Sequence, residues 1–472
     1  MNVEDLQWQA DNWGGVSPPV VDLLLERGHL DLVVAAAAER GDWFCARGAV
    51  RVLCAAEEFE RAWAVIRPFA ETGWLPAVSA GADVLVRWGR VEEAVALARP
   101  DGATRPAAEV WRAYAEVLVK AGRVDEAISV LEPHLTDGRT PRSLVEMTEG
   151  QGNDERVLGL IVPLADEARR AQAQAQGQSQ GRLHTLWETL DLQAEVLERS
   201  GQVEEAIRIL GTDVAARRYG PQNTVESYVA LLARHGRIEE LHRAATTGGH
   251  EREALRPLVE ALKAAGRAGE AETLLRGLVA ANDYPGRCQA LLMDLLAGQG
   301  RIDEAVEVVR PTFENPWEGL LYLAVRMLSD AGLHERALRL LDECSPEFLE
   351  ETHWVPSNRW LLMGETGRCR EAIAEVEATP DLDAEERDVT VASLLAQDGR
   401  PDEAIALLRS RTGLTASAAA AADLAELLIR QNRAAEAIAA IPGVAAQREA
   451  AGRRWGMWKD TESGSTDGPP TA

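Results

Sequence analysis

The sequence predicts an all-α fold, a right-handed α-solenoid of about thirteen helix-turn-helix repeats. Three observations carry that prediction. A motif of the form Gly-Arg-Val-Asp-Glu-Ala recurs along most of the chain. Its turn residue falls at 28, 57, 89, 122, 152, 201, 236, 266, 300, 332, 367, 399 and 432, so that 404 residues hold twelve intervals of about 34. The composition also favours helix: Ala, Leu, Glu and Arg dominate, and only five Phe and five Tyr accompany thirteen Trp. At 472 residues the chain is long for one compact core, which suits an array.

Each repeat is read as helix A, a turn and helix B. Four residues before the turn stands Leu in eleven copies, from Leu24, Leu53 and Leu85 to Leu428, with Thr148 and Met363 as departures. This is the inward face of helix A, one turn before its end. The turn is usually Gly, which takes the left-handed conformation that closes a helix at no steric cost. Five residues after it stands Ala in ten copies, such as Ala94, Ala127 and Ala206, where a small side chain lets helix B approach helix A. Apolar pairs such as Val130-Leu131 and Leu407-Leu408 continue the buried stripe of helix B. Pro68, Pro100, Pro133, Pro163 and Pro311 share one offset and are expected to stop helix B. The acidic pairs, Asp125-Glu126 among them, fall in the first turn of helix B, where negative side chains meet the positive end of the helix dipole. A pair that repeats down the chain in this way reads as structural, not as a catalytic dyad.

The stretch "VWRAYAEVLVKAGRVDEAISVLEP" (Val110–Pro133) carries Trp111, Tyr114, Gly122 and Ala127 and resembles the tetratricopeptide repeat (TPR) family. The resemblance runs from about residue 16 to 443. Most copies lack the Trp, and the terminating Pro stands early, so the array looks like an irregular, TPR-like variant. The resemblance implies a superhelix whose A helices line a concave groove that binds a protein or peptide segment. "KAGRVDEA" is also similar to the pentatricopeptide repeat, which reads single-stranded RNA one base per repeat. That family places Asn, Ser or Thr ten residues before the turn. Here the column includes Arg112, Arg142, Asp191, Glu226 and Arg256, and only Ser79 and Ser357 fit.

The domain organisation follows. Residues 1–15 are expected to cap the stack or bind its first helix through Trp8 and Trp13, ahead of repeats over 16–170. The interval from 152 to 201 is 49 residues and contains "AQAQAQGQSQG", so 171–183 is read as a Gln-rich flexible insertion. Repeats resume over 184–443, followed by a capping helix at 444–458 and a disordered tail at 459–472.

Formal net charge is -26. A polyanion of this kind is repelled by phosphate backbones and anionic lipid, so neither nucleic acid nor membrane is an expected partner, and a basic protein or peptide is. Cys45, Cys54, Cys288, Cys344 and Cys369 show no CxxC spacing. The acidic N-terminus does not read as a signal peptide, so a cytoplasmic setting is expected. Only three Lys stand among fifty basic residues, a bias that suggests a GC-rich bacterial genome. No HExxH, GxSxG or GxxxxGK[ST] motif occurs. Hence no catalytic residue, metal ligand or cofactor is assigned, and the chain is not expected to be an enzyme.

The candidate site lies on helix A. Six residues before the turn the column includes Asp83, Glu116, Glu146, Glu195, Glu260 and Asp294, and eight of its thirteen positions are acidic. One reading is an acidic groove for a basic segment. The other is that Arg112, Arg142 and Arg256 pair with Glu116, Glu146 and Glu260 at i,i+4 and neutralise them within each helix. The function expected is a protein-interaction scaffold or adaptor. The alternatives are a pentatricopeptide-like RNA-binding protein, disfavoured by charge and by the missing base-reading residues, and a peptide-sensing regulator. With fifteen residues before the first repeat, such a regulator would act through a separate effector chain.

Overall fold

A computed structural model describes residues 1–100, 107–174, 180–216, 222–246, 249–281, 285–313, 319–345, 348, 352, 354–380, 382–410 and 418–452. Among these residues every regular element is helical. An N-terminal helix α1 (Val3–Asn12) precedes thirteen helix pairs. The first three are α2 (Pro18–Glu26) with α3 (Leu30–Arg40), α4 (Trp43–Ala55) with α5 (Phe59–Ala70), and α6 (Leu75–Arg87) with α7 (Val91–Ala98). Seven follow: α8 (Ala108–Lys120) and α9 (Val124–Leu131), α10 (Thr140–Met147) and α11 (Asp154–Gln174), α12 (Gln180–Arg199) and α13 (Val203–Ala215), α14 (Gln222–Arg234) and α15 (Ile238–Thr246). The rest of that group are α16 (Glu251–Ala264) and α17 (Ala268–Ala280), α18 (Pro285–Gly298) and α19 (Ile302–Val309), α20 (Leu321–Asp330) and α21 (His334–Asp342). The last three pairs are α22 (Trp354–Glu365) with α23 (Cys369–Ala378), α24 (Ala384–Gln397) with α25 (Pro401–Arg409), and α26 (Ala418–Arg430) with α27 (Ala434–Ala440). The chain is thus an all-α helical-repeat solenoid by class.

Two compact units divide it. One comprises Met1–Arg99 together with Pro356–Ala472, the other Pro100–Val355. Within the first unit α26 packs on α2, so the thirteenth repeat neighbours the first.

All thirteen turn residues have positive φ, from +58° at Asn432 to +81° at Gly201. In twelve repeats the N–H after the turn donates to the carbonyl of the buried column, as Arg123 does to Leu118 at 2.8 Å. This is the Schellman closure, which satisfies the orphan carbonyls of helix A. The Leu column and its two departures are at most 8% exposed, and all ten alanines of helix B are fully buried. Repeat five is the exception to the closure. There the Thr148 hydroxyl donates to Leu144 O at 2.7 Å, and Arg199 reaches Val145 O at 2.5 Å, Thr148 Oγ1 at 3.0 Å and Asp154 at 2.9 Å. A polar joint thus replaces the leucine.

Glu57 is a non-glycine at φ +60°, a conformation that costs an L-residue roughly 1–2 kcal/mol. Glu57→Gly is expected to raise stability by about 1 kcal/mol, read as a higher denaturant midpoint; a lower midpoint would contradict the assignment of this turn.

The proline expectation needs correction. Pro68 lies inside α5 and Pro163 inside α11. A proline forfeits only its own N–H bond and one carbonyl contact, roughly 3 kcal/mol. In both helices the flanking residues are core, Ile66 and Phe69 in one and Ile161 and Ala165 in the other, and their burial offsets that cost. Pro133 and Pro311 instead open 3₁₀ turns after α9 and α19.

The N-terminal segment is a helix that buries Leu6 and Gln9 and packs on α4. Trp13 is 62% exposed and stacks on Phe44 at 6.2 Å between centroids. Helix reaches Gln174 and resumes at Gln180, on either side of 175–179 in the Gln-rich segment, which lies outside the described residues. Residues 444–452 are helical; 453–458 and the expected tail at 459–472 lie outside the description. No helix among the described residues is long and apolar enough to cross a membrane.

Candidate functional site

The recurring acidic pair is structural, and each member has its own partner. The Glu four residues after the turn pairs with the Arg one residue after it, as in Arg123–Glu126 at 2.5 Å, Arg267–Glu270 at 2.8 Å and Arg400–Glu403 at 2.6 Å. The acid three residues after the turn reaches the next repeat, as in Asp125–Arg156 at 2.8 Å and Glu204–Arg237 at 2.7 Å. Being exposed, each such pair adds little to stability by itself. Together they stitch one side of the array and leave the A helices as the face open to function.

Successive A helices pack side by side: α2, α4 and α6, then α8, α10, α12, α14 and α16, and also α24 with α26. The column six residues before the turn faces solvent along them, with only Asp83, Ala230 and Glu426 half-buried. Asp83 lies in the first unit and pairs with Arg87 at 2.9 Å. Glu116, Glu146 and Glu195 stand on α8, α10 and α12 and act on one another electrostatically, Glu146 on both its neighbours. Burial pushes the Glu116 carboxyl above its usual range, against the fields of Lys120 and Arg112. Burial likewise pushes Glu195 up, opposed by Arg142 and Arg199 and aided by Glu146 and Glu149.

Of the three i,i+4 pairs read from spacing, Arg142–Glu146 forms at 3.9 Å. Arg142 also lies 3.7 Å from Glu188. Arg256 turns instead to Asp294 of the next repeat at 3.9 Å, and Glu260 pairs with Lys263 at 3.0 Å. Arg112 acts on Glu116 through its field.

A cleft of about 560 Å³ opens on this face in the second unit. Its charged walls are Arg142 of α10, Asp191, Glu195 and Glu198 of α12, and Glu226 and Arg234 of α14; Ser227, Ala230 and Leu210 also line it. Four carboxylates therefore face two guanidiniums. One of those guanidiniums is committed, since Arg234 holds Glu198 at 2.6 Å, with His235 at 2.8 Å from the same carboxylate. Those two partners hold Glu198 below the usual range. The cleft brings together two of the residues singled out from sequence, Glu195 and Arg142. Asp191, Glu198 and Glu226 were missed, although Asp191 and Glu226 stand in the same column as Arg142, ten residues before the turn. Among the described residues no cluster of three or more His, Cys, Asp or Glu could hold a metal ion.

A second acidic spot lies on α26. The Asp423 carboxyl is pushed up to about 6 by burial, with Glu426 and Glu385 adding to it. Because the folded value lies above the unfolded one, about 3.9, the charged form weakens the fold at neutral pH, and the penalty lifts as pH falls through 6. Asp423→Asn is expected to stabilise by about 1 kcal/mol at pH 7, allowing for partial exposure, and to lose that advantage below about pH 4. Thermal midpoints at the two pH values check this; an equal gain at both would refute it.

A tetratricopeptide repeat family model matches residues 286–311, which is the α18–α19 pair. No curated protein gives a significant sequence match. Among solved structures, the chain is similar to one of Naa15/Naa10 bound to HypK-THB, at 16% identity and a TM-score of 0.36, covering 84% of this chain and 67% of that one. It is similar to the APC/C hetero-tetramer Cut9-Hcn1 at 11% and 0.25, covering 91% and 94%. A pentatricopeptide repeat protein, PPR10, in complex with an 18-nt RNA element gives 19% and 0.37, covering 90% of this chain and 62% of that one.

Proposed function

Because the chain is a TPR-like helical-repeat protein, we propose that it is a protein-interaction scaffold, not an enzyme, and that its A-helix face binds a basic peptide segment in the α10–α12–α14 cleft. The observation that carries this reading is the excess of carboxylates over guanidiniums in a cleft where burial already pushes Glu195 up. A carboxylate partly stripped of water, with only the fields of Arg142 and Arg199 to offset that loss, is stabilised by a cation that arrives beside it. An arginine or lysine entering beside Glu195 and Glu226 supplies that cation, and Ala230 and Leu210 offer its aliphatic stem an apolar wall. The five cysteines are buried and none is in a disulfide, which supports a reducing, cytoplasmic setting.

The test is fluorescence anisotropy with a labelled Arg-rich peptide, an acidic peptide and a single-stranded RNA of equal length. The Arg-rich peptide is expected to bind, more weakly as salt rises and as pH falls from about 7 to about 4, where raised carboxylates take up protons. Binding of the RNA, or equal binding of the acidic peptide, would overturn the proposal.

A further inference from the structure

The first unit holds a set of contacts that the repeat pattern does not explain. α26 lies on α2 as the A helices of successive repeats lie on one another elsewhere. Arg40, the last residue of α3, donates to the carbonyls of Ile438 at 2.6 Å, Ile441 at 2.7 Å and Pro442 at 2.9 Å. It thereby caps the C-terminal end of α27, where free carbonyls and the negative end of the dipole favour a cation. Gln447, 4% exposed, bonds Gly15 in both directions: it accepts from the N–H at 2.8 Å and donates to the carbonyl at 3.1 Å. Arg448 pairs with Asp5 of α1.

The N-terminal side of this contact is built with equal care. Gly15 has φ +87°, and a Cβ there would lie 2.4 Å from Asp42 Oδ2. Buried Gln9 accepts from Trp43 N–H at 2.9 Å and donates to Gly41 O at 3.1 Å. Asp42 accepts from Val16 N–H at 2.7 Å. Buried amides are costly unless paired, and Gln447 finds its partner at Gly15 only while the two ends of the chain are together.

We propose that residues 438–448 form a clasp that holds the thirteenth repeat on the first, and that the α2 and α26 faces it keeps together are mutually complementary surfaces whose alternative partner is a second copy of this chain. When the clasp is broken, α2 of one copy meets α26 of another. The same contact is then made between molecules, which is the logic of domain swapping. The intramolecular form wins while the clasp holds because its effective concentration exceeds that of free protein.

The test uses the full chain and size-exclusion chromatography with light scattering. The unaltered protein is expected to be monomeric. The Arg40→Ala, Gln447→Ala double variant is expected to keep its helical circular dichroism and to form concentration-dependent dimers or longer species. A charge reversal separates the clasp from general misfolding: Arg448→Asp is expected to oligomerise, and Asp5→Arg with Arg448→Asp to return the chain to monomer. A variant that stays monomeric and helical, or a reversal without rescue, would overturn the proposal, as would an unaltered chain that is already a dimer through these faces. These outcomes do not depend on whether the acidic cleft binds peptide.

Discussion

Replacing Asp191, Glu195 and Glu226 together with Asn, Gln and Gln is expected to weaken binding of an Arg-rich peptide at least about tenfold at low salt and to flatten its salt dependence. All three line one cleft between α12 and α14. Glu198 is left in place because Arg234 and His235 already occupy its carboxylate, so removing it would break both contacts and confuse binding with folding. The triple change is also expected to leave stability unaltered or slightly raised, since partial desolvation disfavours the Glu195 carboxylate. Isothermal titration of the triple variant beside the unaltered protein checks both points. Undiminished affinity would remove the cleft from consideration even if the peptide binds elsewhere.

Leu118→Ala is expected to cost about 3 kcal/mol. Leu118 is fully buried at the third residue from the end of α8, and its carbonyl closes the turn to Arg123. Truncation leaves a cavity between α8 and α9 that a close-packed pair cannot fill by small shifts. A stack of repeats transmits such damage mainly to nearest neighbours. Hydrogen exchange is therefore expected to accelerate in α8, α9 and α10 and to stay unchanged in α16 and beyond within the same unit. Uniform acceleration across 100–355 would show that the unit folds all-or-none.

The features readable from sequence are those that one repeat specifies by itself. A left-handed residue at the turn, a leucine one helical turn before it and an alanine five residues after it are local requirements, so thirteen copies announced thirteen helix pairs. The face open to solvent followed, because a fixed period places the column six before the turn away from the buried leucine. What failed is what depends on neighbours. Arg256 stands four residues before Glu260, yet it turns to Asp294 on the adjoining helix. Pro68 and Pro163 stay within helices because the core residues around them outweigh one lost bond. Asp191 and Glu226 stand in a column that has no fixed residue type, so nothing in the period marks them as walls of one acidic cleft. Gln9 and Gln447 have no counterparts in other copies, and nothing in the period tells that the thirteenth repeat meets the first.

The most direct test of the central claim, that the A-helix face of the second unit receives a basic segment, is photo-cross-linking. An Arg-rich peptide bearing a single diazirine is irradiated with the full chain, and the adducts are mapped by mass spectrometry. The adducts should concentrate on α10, α12 and α14, between Arg142 and Arg234, and disappear with the triple amide variant. Adducts spread over the acidic pairs at the starts of the B helices, unaffected by that variant, would show that the chain attracts cations by net charge alone and would contradict the account.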